Sequence, residues 1–113
     1  MTTNKAIEIV DRLKPNSYSN EDKLRWISEL DGTVQRLVIQ KDAKDIIQYS
    51  YPEDMDRELL IPAPFDNAYI LYLEANIHYH NKEYEDYNNA AVMFESQYSE
   101  YKKAYIREHM AKG

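Results

Sequence analysis

Between Tyr84 and Tyr105 the residues Tyr84, Tyr87, Ala91, Phe94, Tyr98, Tyr101 and Tyr105 recur in alternating steps of three and four. That is the spacing of a helical seam. It predicts one long helix over about 83–109 with an aromatic stripe down one side. A phenol buries a large ring yet needs a partner for its hydroxyl, so a tyrosine stripe suits a surface that is apolar at one end and wet at the other. Two coverings are open. The stripe is a core seam of the same chain, or part of it is a subunit interface, where tyrosine is enriched and lysine depleted.

The rest of the chain limits what can lie opposite that stripe. At 113 residues, 43% hydrophobic and 30% charged, it reads as one soluble, globular domain with a modest core. Only two glycines occur, Gly32 and Gly113. A phosphate-cradling loop or dinucleotide fingerprint needs more. The absence of cysteine excludes disulfides, thiolate catalysis and cysteine zinc sites. No apolar run reaches the length of a membrane span, and the polar start from Met1 to Asn4 does not read as a signal peptide. The net charge of −6, with cations scattered singly or in pairs, argues against direct DNA binding.

In chain order, Ala6, Ile7, Val10 and Leu13 share a face of a first helix over about 3–13, with a threonine cap and Pro15 as its stop. Ser19 and Asp22 resemble a capping arrangement for a second helix over about 20–40, carrying Leu24, Ile27, Leu30, Val34, Leu37 and Val38. Its apolar face keeps phase across Gly32, which favours one helix over two, although Gly32 could also mark an end. Trp26 lies off the stripe and is a core contact or an interface residue. The helical period vanishes over 45–62. Ile46–Tyr51 is β-prone, Pro52–Asp56 reads as a turn, and Leu59–Ile61 is a second apolar run, which together predict a short β-hairpin or a pair of extended arms. Six acids between Asp42 and Glu58 face only Lys44 and Arg57, making either a solvated loop or an acidic lip with Asp54, Asp56 and Glu58 at its centre. A third helix over about 66–80, capped by Asp66, is apolar nearly all round, so it is the centre of the bundle or is covered by another subunit. The short polar link Asn81–Glu83 then makes an antiparallel hairpin with the tyrosine helix, and Ala111–Gly113 is a tail. The architecture expected is a small, mainly α four-helix bundle with a long C-terminal helix and a hairpin or arm between helices two and three.

Catalytic signals are weak. His78 and His80 fall on opposite sides of a helix. Glu74 and His78 share a face and could offer two metal ligands, but a pair at that spacing is more ordinarily a helical ion pair. The serines lack an elbow context, and the alternating Asp54, Asp56 and Glu58 lack the glycine and spacing of a calcium loop. No cofactor or metal is expected.

The run Leu59-Leu60-Ile61-Pro62-Ala63-Pro64-Phe65-Asp66-Asn67-Ala68-Tyr69 with Tyr72–Ala75, the segments Ala6–Ile7 and Val10–Asn16, Lys23–Gly32 and Tyr87–Asn89 carry a resemblance over nearly the whole chain. The chain resembles a small protein family encoded by phages and prophages of Gram-positive bacteria, whose members are similar to head–tail connector (adaptor) proteins of tailed phages. The resemblance implies a homo-oligomeric ring under the portal protein, continuing the DNA channel toward a tail-side or stopper protein, with DNA only as passing cargo. It implies location in the virion, and in the host cytoplasm before assembly. It brings no catalytic or cofactor residues. For such contacts the candidate interface residues are Trp26, Tyr49, Tyr51, Leu59, Leu60, Ile61, Phe65, Tyr87, Tyr98, Tyr101 and Tyr105. A non-enzymatic interaction module that binds another protein through Trp26 and the aromatic helix is the alternative.

Overall fold

The computed structural model describes residues 1–110, without the side chain of Met110; the expected tail lies outside them. Four helices make up most of the chain: α1 (Thr3–Leu13), α2 (Asn20–Thr33), α3 (Asn67–His80) and α4 (Tyr84–Met110). Thr2 caps α1 by accepting from the Lys5 N–H, and Ser19 caps α2 by accepting from the Asp22 N–H at 3.0 Å. Asp66 precedes α3, but its side chain makes no cap bond. Its carbonyl accepts from the Tyr69 N–H at 3.1 Å instead.

The chain passes through Gly32 without a break, as the apolar phase predicts. It then widens into a π-helical segment, Val34–Val38, and ends at Gln40 with φ of 68°. The wider winding turns Leu37 away from the core, while Gln35 continues the inner face of Ile27 and Asp31. Gln35 is 2% exposed, whereas Leu37, expected inside, is 68% exposed.

No β-hairpin forms among the described residues. The only ladder-like contact is an isolated bridge between Thr2 and Glu58. The segment after α2 contains a single 3-10 turn, Ala43–Asp45, and then runs extended. Its backbone is hydrogen-bonded to side chains projecting from the helices rather than to a second strand. The buried Gln35 amide donates to the Ile47 carbonyl (3.0 Å) and accepts from the Ile47 N–H (2.8 Å), copying the pairing of a strand residue. The Tyr49 N–H donates to Ser28 Oγ at 2.9 Å, the Leu60 N–H to Asp31 at 3.2 Å, and the Ile61 N–H to the Tyr69 hydroxyl at 2.7 Å. A two-stranded hairpin is marginal alone in water, and these helix side chains supply the partners it would lack. The peptide bonds before Pro52 and Pro64 are cis.

The third helix is the centre of the bundle. It contacts α1, α2 and α4, and Ala68, Tyr69, Ile70, Leu71, Leu73, Ala75 and Ile77 are all buried. Lys82, with φ of 62°, reverses the chain, and α4 runs back antiparallel to α3. At ~1.5 Å per residue, the 27 residues of α4 outrun the 14 of α3. The overhang packs on the second arm, where Phe65 meets Tyr101 and Gln97 donates to the Pro64 carbonyl at 3.2 Å. No helix of the described residues is long and apolar enough to cross a membrane.

Candidate functional site

The most buried polar group gathers both arms. Asp31, fully buried, lies on the inner stripe of α2 beside Leu24, Ile27 and Val34. Its carboxylate accepts from the Tyr69 hydroxyl (2.6 Å), the Tyr49 hydroxyl (2.6 Å) and the Leu60 N–H. Burial pushes the Asp31 carboxyl up from its ordinary range, and the three donors and nearby Arg57 offset only part of that rise. Burial first, and the Asp31 carboxylate after it, raise both phenols too, so they remain donors. Arg57 lies over the Tyr49 ring at 5.1 Å rather than pairing with Asp31. The node fixes structure: it ties α2, α3 and both arms together, and Tyr69 relays between the Ile61 backbone and Asp31.

The aromatic seam of α4 divides along its length. Phe94, Tyr98 and Tyr101 are buried, while Tyr84 at the helix start is 55% exposed. Rings step along the helix: Phe94 to Tyr98 at 5.5 Å, Tyr98 to Tyr101 at 6.4 Å, Tyr101 to Tyr105 at 6.2 Å. The middle is therefore core. Burial pushes the Tyr101 phenol up to about 12. The Tyr98 hydroxyl is buried with no hydrogen-bond partner among the described residues. Removing it in Tyr98→Phe is expected to leave stability unchanged or raise it by up to ~1 kcal/mol, since an unpaired buried hydroxyl is a net cost. Urea unfolding checks this, and a loss above that size would reveal a hidden partner.

The candidate interface residues separate in the same way. Trp26, Leu59, Ile61, Tyr98 and Tyr101 are buried in this chain's own core and are not surface groups. Trp26 stacks on His80 at 5.1 Å and meets Tyr18 edge-on at 5.6 Å. Tyr49, Leu60, Phe65, Tyr87 and Tyr105 are half-buried, and Tyr51 is exposed. They fall short of one continuous patch because the arms spend their apolar side chains on the helices. The large apolar side chains left exposed are mostly others, including Leu13, Leu37, Ile47, Tyr79, Val92, Met93 and Ile106.

The three carboxylates of the acidic lip are engaged locally. Asp54 accepts from the Ser50 N–H (2.7 Å) and Arg57 Nε (3.1 Å), which hold its carboxyl below the usual range. Asp56 accepts from the Asn4 side chain, and Glu58 from the Met1 amino group at 3.1 Å. They do not converge on one point. His78 pairs with Glu83 at 2.8 Å across the helix turn, not with Glu74. Lys14 reaches the same Glu83 oxygen at 3.3 Å, and His78 and then Lys14 lower the Glu83 carboxyl. Asp86 stands close by, within 4.8 Å of the His78–Glu83 pair.

A shallow cleft of about 340 Å³ opens between α3 and α4. Tyr72, Tyr79, Tyr87 and Phe94 wall it, and Glu95 and Asn76 lie at its edge. Asp31, Gln35 and Tyr69, which organise the arms, escaped the sequence reading. A signal existed for Asp31, a charge placed seven residues after Leu24 on an apolar stripe. No family model, curated protein or solved structure matches the chain.

Proposed function

We propose that this chain is a non-catalytic virion assembly protein of the head–tail connector class, forming a ring beneath the portal and continuing the DNA passage toward the tail. The resemblance of its sequence segments motivates the reading. The observation that carries it is that, besides Val92 and Met93 along α4, uncovered apolar groups of different chemistry lie at the two ends of the bundle. Tyr79 and Tyr84 meet at 6.2 Å at the α3–α4 turn, an aromatic end. At the opposite end, where Gln35 holds the Ile47 backbone and Tyr105 shares a cleft with Ile39 and Leu60, the exposed groups are aliphatic: Leu37, Ile47 and Ile106. Two different patches suit head-to-tail association, which closes into a ring when the rotation per subunit divides the circle. In this reading the acidic segment 42–58 faces the passage, where negative charge discourages DNA from sticking.

The test is light scattering of the protein alone and with assembled portal rings. Portal-bound rings are expected. Leu37→Glu should block one face and Tyr84→Glu the other, so each variant alone stays off the ring, while an equimolar mixture retains one intact junction and forms heterodimers. Failure to bind a portal ring would defeat the reading, as would a mixture of the two variants with no heterodimer.

A further inference from the structure

We propose that the cleft between α3 and α4, walled by Tyr72, Tyr79, Tyr87 and Phe94 and edged by Glu95, binds an arginine side chain presented by a partner protein. The walls carry the first argument. Tyr79 and Tyr87 stand 5.3 Å apart at 59°, and Tyr72 and Phe94 5.1 Å apart at 56°, so two tilted ring pairs border one opening. The face of each ring carries negative quadrupolar charge, which draws a cation placed over it. The protein's own cation–π contacts are made elsewhere, Arg57 on Tyr49 and Lys102 on Tyr98. The cleft rings have none among the described residues.

Charge supplies the second argument. Glu95 is exposed at the rim. It is in no ion pair among the described residues. The Asn76 amide donates to the Tyr72 carbonyl at 2.9 Å, and its side chain lines the cleft. An aliphatic side chain in this cleft would meet the rings but offer the Glu95 carboxylate and the Asn76 oxygen no donor in place of water. A guanidinium satisfies both. It is flat enough to lie on an aromatic wall, is weakly hydrated, and carries five N–H donors for a carboxylate and an amide oxygen.

The site is open in the single chain but shares Tyr79 with the aromatic end proposed for ring contacts, so it is tested on the full-length protein in solution without portal rings. The probes are two capped peptides differing only in arginine or its neutral isostere citrulline. Trp26, the sole tryptophan, stacks on His80, which lines the cleft, so its fluorescence reports occupancy. Tyrosine ring shifts by NMR give a second readout. Saturable arginine binding is expected, with citrulline weaker by roughly three- to thirtyfold, the range a cation–π contact supplies from exposed to desolvated sites. Glu95→Gln and Tyr79→Leu, both at exposed positions and compatible with folding, should each weaken the arginine peptide and leave the citrulline peptide nearly unchanged. Equal binding of the two peptides, no saturation by either readout, or unchanged arginine affinity in both variants would overturn the assignment.

Discussion

Asp31→Ala is expected to lose about 3–5 kcal/mol of folding stability, because it strands three donors at once at ~1–3 kcal/mol for each buried group left unpaired. The donors are the Tyr49 and Tyr69 hydroxyls and the Leu60 N–H, and each belongs to a different part of the fold. The loss should therefore appear as release of both arms along with weakened α2–α3 packing. Chemical denaturation read by Trp26 fluorescence measures it, and a loss below ~1 kcal/mol would show that the node does not hold the arms. The same group sets a pH dependence whose sign follows from the direction of its shift. The folded carboxyl titrates above the ordinary 3.8, so the folded state binds the proton more tightly than the unfolded state. Its contribution is fully present below that ordinary value and is lost as pH rises through the raised folded value. Asp54 and Glu83, held below their usual ranges, act in the opposite direction and are common to wild type and variant. Asp31→Asn removes only the Asp31 titration. The stability gap between wild type and Asp31→Asn should widen toward acid pH, and a gap constant from pH 4 to 8 would refute the assignment.

Lys23 provides the second large effect. Its side chain is 2% exposed, and its ammonium donates to Asp11 at 2.7 Å, joining α2 to α1. Asp11→Ala should cost about 2–3 kcal/mol, below the 3–5 typical when a fully buried ion pair loses one partner. The reduction reflects an Asp11 that is itself 42% exposed. Most of that cost is the cation left unpaired, not the value of the pair. Lys23→Met in the Asp11→Ala background should therefore recover most of the lost stability. Thermal unfolding of the two single variants and the double variant closes the cycle, and a double variant as unstable as Asp11→Ala alone would disprove the account.

Periodicity made the helices legible. The steps of three and four in α4, the capping serine before α2 and the continuous apolar run of α3 all correspond to elements of the fold. The extended character of 46–61 was legible as well, but its partner was not. Propensity pairs one β-prone run with another, whereas here Gln35, Ser28, Asp31 and Tyr69 supply the hydrogen bonds from helices. Such a long-range side-chain-to-backbone match leaves no spacing to read. The π-helical turn after Thr33 escaped for a related reason: a ladder slip of one residue changes which side chain faces inward without changing composition. It turned Leu37 out, while Gln35, four residues after the buried Asp31, stays on the inner face. The burial of Leu59, Ile61, Tyr98 and Tyr101 likewise depends on how far α4 overruns α3, and that of Trp26 on its packing against Tyr18 and His80; both are fixed by packing and not by the aromatic pattern.

An exposed strand edge invites docking by any stray extended peptide, and proteins usually blunt it with lysine, proline or a bulge. Here the β-prone tract Ile46–Tyr51 has its helix-facing amides at Ile47 and Tyr49 already occupied by Gln35 and Ser28. These two polar side chains therefore act as a guard against templated aggregation of the tract.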